Sequence, residues 1–588
     1  MSYVVRRDVR QALWAALLAI LPDLASADPI TVDFAGDRAL TLAIGESPRR
    51  DCSLREAFNN ADNANRLNTN GCAAGTGLDT ILFEPGISEV KLDTAQFGVL
   101  SIKSNTSLLV RGHSYQDKVA ISGENKGGIL DIDNSNAAVR FENIRFVAGR
   151  RDGGGGAILQ KGGILILSGC RFDANNAYNG GALTVTGADT RVFIDDCVFW
   201  ANAASGSPGS TLDGIGGAIN FAGGSAVIGR TAFAENFARV AGGAIECNSA
   251  GTMEIHGDLV ANENGGGNNT VFNGNATFLE DADVSGSAGG GAIRSNCHLI
   301  VSNARFENNE SRGKGGAVYV QSGSVEAYFH QVAFENNQAI ATGAPGGYGG
   351  AAAVEGRATF NRVSAVSNRA NRGGALSLRG LTGVRYTHIE NSSLLENTAL
   401  YGDGAAIWVS GPLQEFGVVV INTTFDENDG GADGSTVYLD SNINEPIIFE
   451  NNILQATNGT RGCGGTVDAG TFDPGVGAHS IQFDFSAVDS CDNGVAGEEI
   501  PKRDANFLVR GAKMAAFPYL QYNSLNELSS AAVLQPGASG TICRAAGLAR
   551  PPGWVSGSYG TDQIGRRRDA THCTRGAVEA LPVIVIDF

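Results

Sequence analysis

Cys170-Arg171-Phe172-Asp173-Ala174-Asn175-Asn176-Ala177-Tyr178-Asn179-Gly180-Gly181-Ala182-Leu183-Thr184-Val185 is the stretch that decides the fold, because its pattern returns throughout the chain. An apolar residue stands three places before Asn; a Gly-Gly-Ala knot and a short apolar run follow. Phe172 with Asn175 is echoed by Phe199 with Asn202, Phe233 with Asn236, Phe306 with Asn309, Phe334 with Asn337 and Phe425 with Asn428. Leu259 with Asn262, Ala365 with Asn368 and Leu394 with Asn397 are weaker copies that keep the phase. Knots open at Gly155, Gly180, Gly216, Gly242, Gly290, Gly315, Gly349 and Gly373, and Gly404 opens a variant. A return about every 30 residues marks a solenoid.

Between the knots, short apolar runs alternate with Gly, Asn, Asp and Ser, which is strand-and-turn grammar without helical periodicity. A unit this small cannot bury its own apolar face and must stack on its neighbours. The expected fold is all-β: a right-handed parallel β-helix solenoid with a small N-terminal helical cap and an irregular C-terminal cap. Each repeat makes one coil, and roughly a dozen coils at about 4.8 Å each give a rod on the order of 60 Å long. Phe in a constant phase stacks inside the rod, and Asn in a constant phase satisfies turn backbone and builds a ladder. A disordered Gly-rich chain would not bring Phe, Val, Ile and Leu back in phase.

The chain has 588 residues and a formal net charge of -18, a balance that disfavours nucleic acid and anionic membrane surfaces as partners. Arg6, Arg7 and Arg10 precede the apolar run Ala12 to Leu21, and Ala25-Ser26-Ala27 offers a cleavage site. Residues 1–27 therefore read as a secretory signal peptide, with no transmembrane segment after it. The expected location is extracellular or at a bacterial cell surface, with periplasmic retention as the alternative. Residues 28–79 read as the N-terminal cap, 80–457 as the β-helix and 458–588 as the C-terminal cap region.

Within the N-terminal cap, Ser53 and Glu56 form a capping-box pattern, and Leu54, Phe58 and Ala61 mark one apolar helical face. Cys52 and Cys72 flank that helix and could tie its return loop. Cys170 and Cys197 stand two residues before register Phe on adjacent coils, within disulfide reach. Cys247 and Cys297 are near in phase and compatible with pairing, while Cys463 with Cys491 and Cys543 with Cys573 enclose tail segments. No Cys-x-x-Cys pair exists and His is scattered, so no metal site is expected. Calcium on the acidic loop Asp429 to Asp433 is a weak option.

Three long intervals, Asn202 to Gly216, Asn262 to Gly290 and Asn337 to Gly349, fall between the Asn and the next knot, so they project from one side of the rod. Asp213, Asn273, Glu280, Asp281 and Asp283 lie in them and are the candidate binding residues for a carbohydrate or protein surface ligand. A polysaccharide lyase or glycoside hydrolase acting on an acidic polysaccharide would need convergent carboxylates. Asp196, Asp213 and Asp283 are the weak catalytic candidates for it.

The array resembles the pectin-lyase-like β-helix superfamily. Its Gly-Gly-Ala-Ile and Phe-x-x-Asn phrases are similar to the passenger regions of chlamydial polymorphic outer-membrane proteins. Cys52-Ser53-Leu54-Arg55-Glu56-Ala57 resembles the signature of bacterial secreted proteins named for that motif. Thr561-Asp562-Gln563-Ile564-Gly565-Arg566 and Cys573-Thr574-Arg575-Gly576-Ala577 resemble a worn version of their ending. The resemblance implies surface or extracellular location and no agreed reaction. The polymorphic proteins carry a translocating barrel that this sequence lacks, so a released or noncovalently retained protein is expected. The function expected is noncatalytic adhesion or extracellular recognition through side loops, with a structural envelope component as a further alternative.

Overall fold

The computed structural model describes residues 29–40, 50–63, 71–210, 212–257, 269–279, 288–321, 325–342, 346–380, 386–410, 417–421, 423–430, 434–439, 447–450, 453–456, 461–465, 481–484, 487–488 and 507–508. The chain winds as a right-handed parallel β-solenoid. Among the described residues the strands form sheets of 28, 9 and 13 members, called here I, II and III. Each coil crosses sheet I in two segments, makes a short strand of sheet II, turns through the knot, crosses sheet III and returns. Strands pair in parallel with their counterparts one coil away, as Arg171, Phe172 and Asp173 do with Val198, Phe199 and Trp200. Pairing continues past residue 457 through Ile481–Asp484 and Phe507–Leu508. Among the described residues no helix is long and apolar enough to cross a membrane.

The repeated phrase explains the winding. Register Phe side chains point inward and stack: the ring centroids of Phe146, Phe172, Phe199, Phe233, Phe272, Phe306 and Phe334 follow one another at 4.6–5.0 Å. Each is buried, worth roughly 1.5–3 kcal/mol in apolar surface removed from water. The following Asn side chains form a second column from Asn175 to Asn428. In each step the backbone N–H and Nδ2 of one Asn both donate to Oδ1 of the next at 2.9–3.1 Å. Nδ2 also donates to a carbonyl of the preceding coil, as Asn202 does to Phe172 at 3.0 Å. Ala365 and Leu394 keep the Phe position and Asn368 and Asn397 the ladder.

One copy of the phrase differs from the sequence reading. Phe272 and Asn275 occupy the register in the coil after Phe233, whereas Leu259 and Asn262 lie outside the described residues. The long interval is therefore divided: residues 258–268 precede the strand Thr270–Asn273, and residues 280–287 follow it. Only the second part belongs to the connection between sheets II and III.

The knot glycines serve separate purposes. The first takes a positive φ, 59° at Gly180 and 67° at Gly216, which a Cβ disfavours. The second faces the next coil so closely that a Cβ on Gly217 would lie 2.0 Å from the Gly243 carbonyl oxygen.

At the N-terminal end, the helix Leu54–Asn63 buries Leu54, Ala57, Phe58 and Ala61 against the first strands. The capping box is present: Ser53 N–H donates to Glu56 Oε2 at 3.0 Å and Glu56 N–H to Ser53 Oγ at 3.4 Å. Arg55 is held by Asp37 through two bonds of 2.8 and 2.7 Å, and Arg38 spans Glu56 and Asp51. Every residue of Cys52-Ser53-Leu54-Arg55-Glu56-Ala57 is thereby committed to the cap. Cys52–Cys72 and Cys247–Cys297 are disulfides. Cys170 and Cys197 are not: they sit in register as buried free thiols, Cys170 N–H donating to Cys197 Sγ at 3.3 Å. Each thiol also donates to the carbonyl two residues earlier in its own coil, Cys170 to Ser168 and Cys197 to Asp195, so both sulfurs are held by hydrogen bonds.

Candidate recognition surface

The sequence candidates separate onto different parts of the rod. Asp213 lies in the connection from sheet II to sheet III. Asp196 is the exposed bend residue between the two segments of sheet I, with φ 56°; it follows its strand, so the alternation of strand side chains does not apply to it. Asn273 ends a strand of sheet I and accepts from Asn308 Nδ2 at 3.0 Å, which moves it from the expected side loop to an exposed position on sheet I. Asn275 is a buried ladder member. Glu280, Asp281 and Asp283 lie outside the described residues, as do residues 431–433 of the loop considered for calcium. Asp196 and Asp213 thus stand at different corners, and the carboxylates that a hydrolase would need are not brought together by this pair.

Asp213 organises its own loop. It accepts from Ser207 Oγ and, at 3.1 Å, from Asn179 Nδ2. The Ser207 hydrogen bond first, then that of Asn179, holds its carboxyl below the ordinary range. Asn179 Oδ1 in turn accepts from the N–H groups of Gly214 and Ile215 at 2.9 and 3.2 Å, and Arg239 Nη1 donates to the Ser210 carbonyl at 2.5 Å. The insertion is a hydrogen-bonded bracket, and its tip carries Leu212 at 75% exposure.

Beneath this corner, Ile215, Ala241, Gly289, Lys314, Tyr348 and Arg372 form successive parallel bridges just ahead of the knots. Val240, Ala241 and Ala288, with Ile215 and Leu279 against them, make a small apolar cluster separate from the rod interior. These connections cover the outer face of sheet III. Arg294 there clasps Glu246 with bonds of 2.8 and 2.7 Å, and Tyr319 Oη donates to Glu355 Oε2 at 3.1 Å beside Lys314, whose Nζ lies 2.9 Å from Oε1. Burial pushes the Glu246 carboxyl up, against the pull of Arg294. Tyr348 stacks on Trp408 at 5.0 Å.

On that footing the corner displays a row of apolar side chains. Phe278 is 43% exposed, Leu400 39% and Tyr401 51%, on the same connection as Leu212, Phe278 two coils further along the rod and the adjacent Leu400 and Tyr401 four coils beyond that. Phe278 packs on Phe237 at 4.5 Å, and the Arg312 guanidinium lies 6.0 Å from its ring centre. The sequence reading chose the polar members of these loops and passed over the apolar ones. The usable signal was a large apolar residue inside a Ser- and Gly-rich loop whose polar residues are already bonded to one another, as Leu212 is between Ser210 and Asp213. No group of three or more His, Cys, Asp or Glu able to hold a metal ion occurs among the described residues. The chain matches no family model, no curated protein and no solved structure.

Proposed function

We propose that the chain is a noncatalytic, secreted or surface-associated β-solenoid that presents its II–III corner for adhesion or extracellular recognition of a carbohydrate or protein surface. The observation that supports this reading is the row Leu212, Phe278, Leu400 and Tyr401, exposed on connections braced from below. Large apolar side chains held out on a rigid frame are the surface feature that recognition uses, and a repeating scaffold sets their spacing at about 4.8 Å per coil. The test is adhesion of the purified chain to host-cell, bacterial and glycan-coated surfaces, alongside a variant carrying Leu212→Ser, Phe278→Ser and Tyr401→Ser. The reading expects binding to at least one surface and its loss in the variant. Binding to none, or equal binding by both proteins, counts against it; release of oligosaccharide from an acidic polysaccharide would favour the hydrolase or lyase alternative.

A further inference from the structure

A second exposed cluster lies on sheet I, away from the II–III corner. Most later coils turn between the two segments of sheet I through a single bend residue, such as Asn143, Gly169 or Asp196. The coil containing Ser107–Arg111 instead inserts residues 112–118 there. Gly112 N–H donates to the Glu142 carbonyl at 2.8 Å, and the loop continues along the rod until the Tyr115 ring lies 3.3 Å from the position of a Cβ on Gly169. Lys118 Nζ stands 3.7 Å from the centre of that ring, and Tyr115 is 46% exposed.

Beside the loop, Arg145 and Arg171 are in register on neighbouring coils. Both direct Nε at Asp173, at 2.5 and 2.7 Å, and Asp173 is almost fully buried beneath them. The Nη groups of both arginines make no hydrogen bond among the described residues. Trp200 follows Asp173 in register on the next coil, 39% exposed, with the Arg171 guanidinium 5.7 Å from its ring. One buried carboxylate therefore fixes two guanidinium forks with their outer edges turned to solvent, and an aromatic ring stands at either end of the row.

We propose that this face, made by Tyr115, Lys118, Arg145, Arg171 and Trp200, docks a short acidic segment of a partner protein. Trp, Tyr and Arg are the side chains that concentrate binding energy at protein interfaces. A guanidinium held at Nε keeps its outer edge for a carboxylate, and forks ordered before binding lose little freedom on docking. Lys118, Arg145 and Arg171 outnumber the buried Asp173 and the exposed Asp196 beside Tyr115 and Lys118. The cluster is therefore a locally cationic spot on a chain of formal charge -18, and long-range repulsion with local attraction selects a compact acidic motif. A long polyanion laid along the rod fits poorly. The Arg171 column continues as the uncharged Val198, Ala232 and Val271 before it reaches Arg305, whose charge is taken up by Glu307 and Glu335 of the Trp200 column, so the cationic face is not prolonged along the rod.

The experiment is calorimetric titration of the full chain with short synthetic peptides rich in Glu and Asp around one aromatic residue. Their Gln and Asn counterparts serve as controls, and heparin and oligogalacturonate as polyanions that are not proteins. Saturable binding of the acidic peptides is expected, weakening as salt is added. Affinity should fall about tenfold or more in Arg171→Gln and in Trp200→Ala. Lys118→Gln, on the loop and outside the sheet ladders, should weaken binding with an unchanged melting midpoint, and the corner variant Leu212→Ser should bind as the parent does. The proposal is overturned by no saturable binding, by equal binding of the neutral peptides, by indifference to all three substitutions, or by tighter binding of either glycan. The last result would assign the face to an anionic sugar chain. Because Arg171→Gln, Trp200→Ala and Lys118→Gln leave the corner untouched, the outcome is independent of the adhesion reading.

Discussion

Asn309 accepts through Oδ1 from both the backbone N–H and the Nδ2 of Asn275, at 3.1 and 2.9 Å, while its own Nδ2 reaches Asn337 Oδ1 at 2.9 Å and the Phe272 carbonyl at 3.0 Å. All of these groups are buried, so an amide removed from the column strands donors and acceptors that water cannot reach. Asn309→Ala should cost about 2–4 kcal/mol, since each unsatisfied buried group is worth about 1–3. Urea unfolding followed by circular dichroism measures it. A loss below about 0.5 kcal/mol, the size of an ordinary surface change, would mean that the column carries little stability.

Glycine substitutions should divide by position. Gly217→Ala places a Cβ 2.0 Å from the Gly243 carbonyl oxygen, whereas Gly209, with φ 79°, has nothing within 4 Å. The first change forces two coils apart and should lower the melting midpoint strongly. Gly209→Ala should cost only about 1 kcal/mol of left-handed backbone strain. Similar midpoints for the two variants would contradict the close approach.

Cys170 and Cys197 should resist chemistry in the folded chain. Burial first, and the hydrogen bond with Cys170 second, raise the Cys197 thiol well above its ordinary range, which removes the reactive thiolate. Iodoacetamide at mildly alkaline pH should leave both residues unlabelled until denaturant is added, as read by peptide mass spectrometry. Recovery of a disulfide-linked Cys170–Cys197 peptide from an unreduced digest would show the pair to be oxidised instead.

Asp426 gives the stability a pH dependence. Burial, and next the charge of Glu427, pushes its carboxyl up to about 6. The folded chain therefore holds this proton more tightly than the unfolded chain does. The contribution favours folding fully below the unfolded value of about 3.9 and is lost as pH rises through the folded one. Asp426→Asn should raise the melting midpoint at pH 7 and flatten its slope between about pH 4 and 6. Calorimetric scans across that range decide it; a slope identical to the parent's would place the titration elsewhere. Glu390 and Glu307, also raised by burial, act in the same direction.

The rod was legible because its two columns use residues with no other common reason to recur. Phe172 to Phe199 and Asn175 to Asn202 keep phase in sequence because they keep contact in space. Where an insertion intervened, local pattern failed: Leu259 with Asn262 imitates the phrase, and only pairing of Phe272 with Phe233 and Phe306 fixes the true phase. The Cys170–Cys197 neighbourhood was legible, but the absence of a disulfide between them was not, since register sets backbone separation and leaves the direction of each sulfur to its hydrogen bonds. The corner was legible as a side of the rod through Asp213 and the other loop residues. Its exposed apolar row was not, because the exposure of Leu212 or Tyr401 depends on how the connections fold over sheet III. The cluster around Trp200 was hidden more deeply, as Tyr115 comes alongside Gly169, in the coil of Arg171, only once the 112–118 loop runs along the rod.

The amide column has one further consequence. Each of its steps is chemically the same, so a turn of the rod is an interchangeable part. Excising residues 309–336 would seat Asn337 beside Asn275, with the donor and acceptor groups that Asn309 now offers it. The length of this molecule is thus a quantity that whole-turn gain or loss can change without redesigning either end, and the distance between Leu212 and Tyr401 would change with it, one turn at a time.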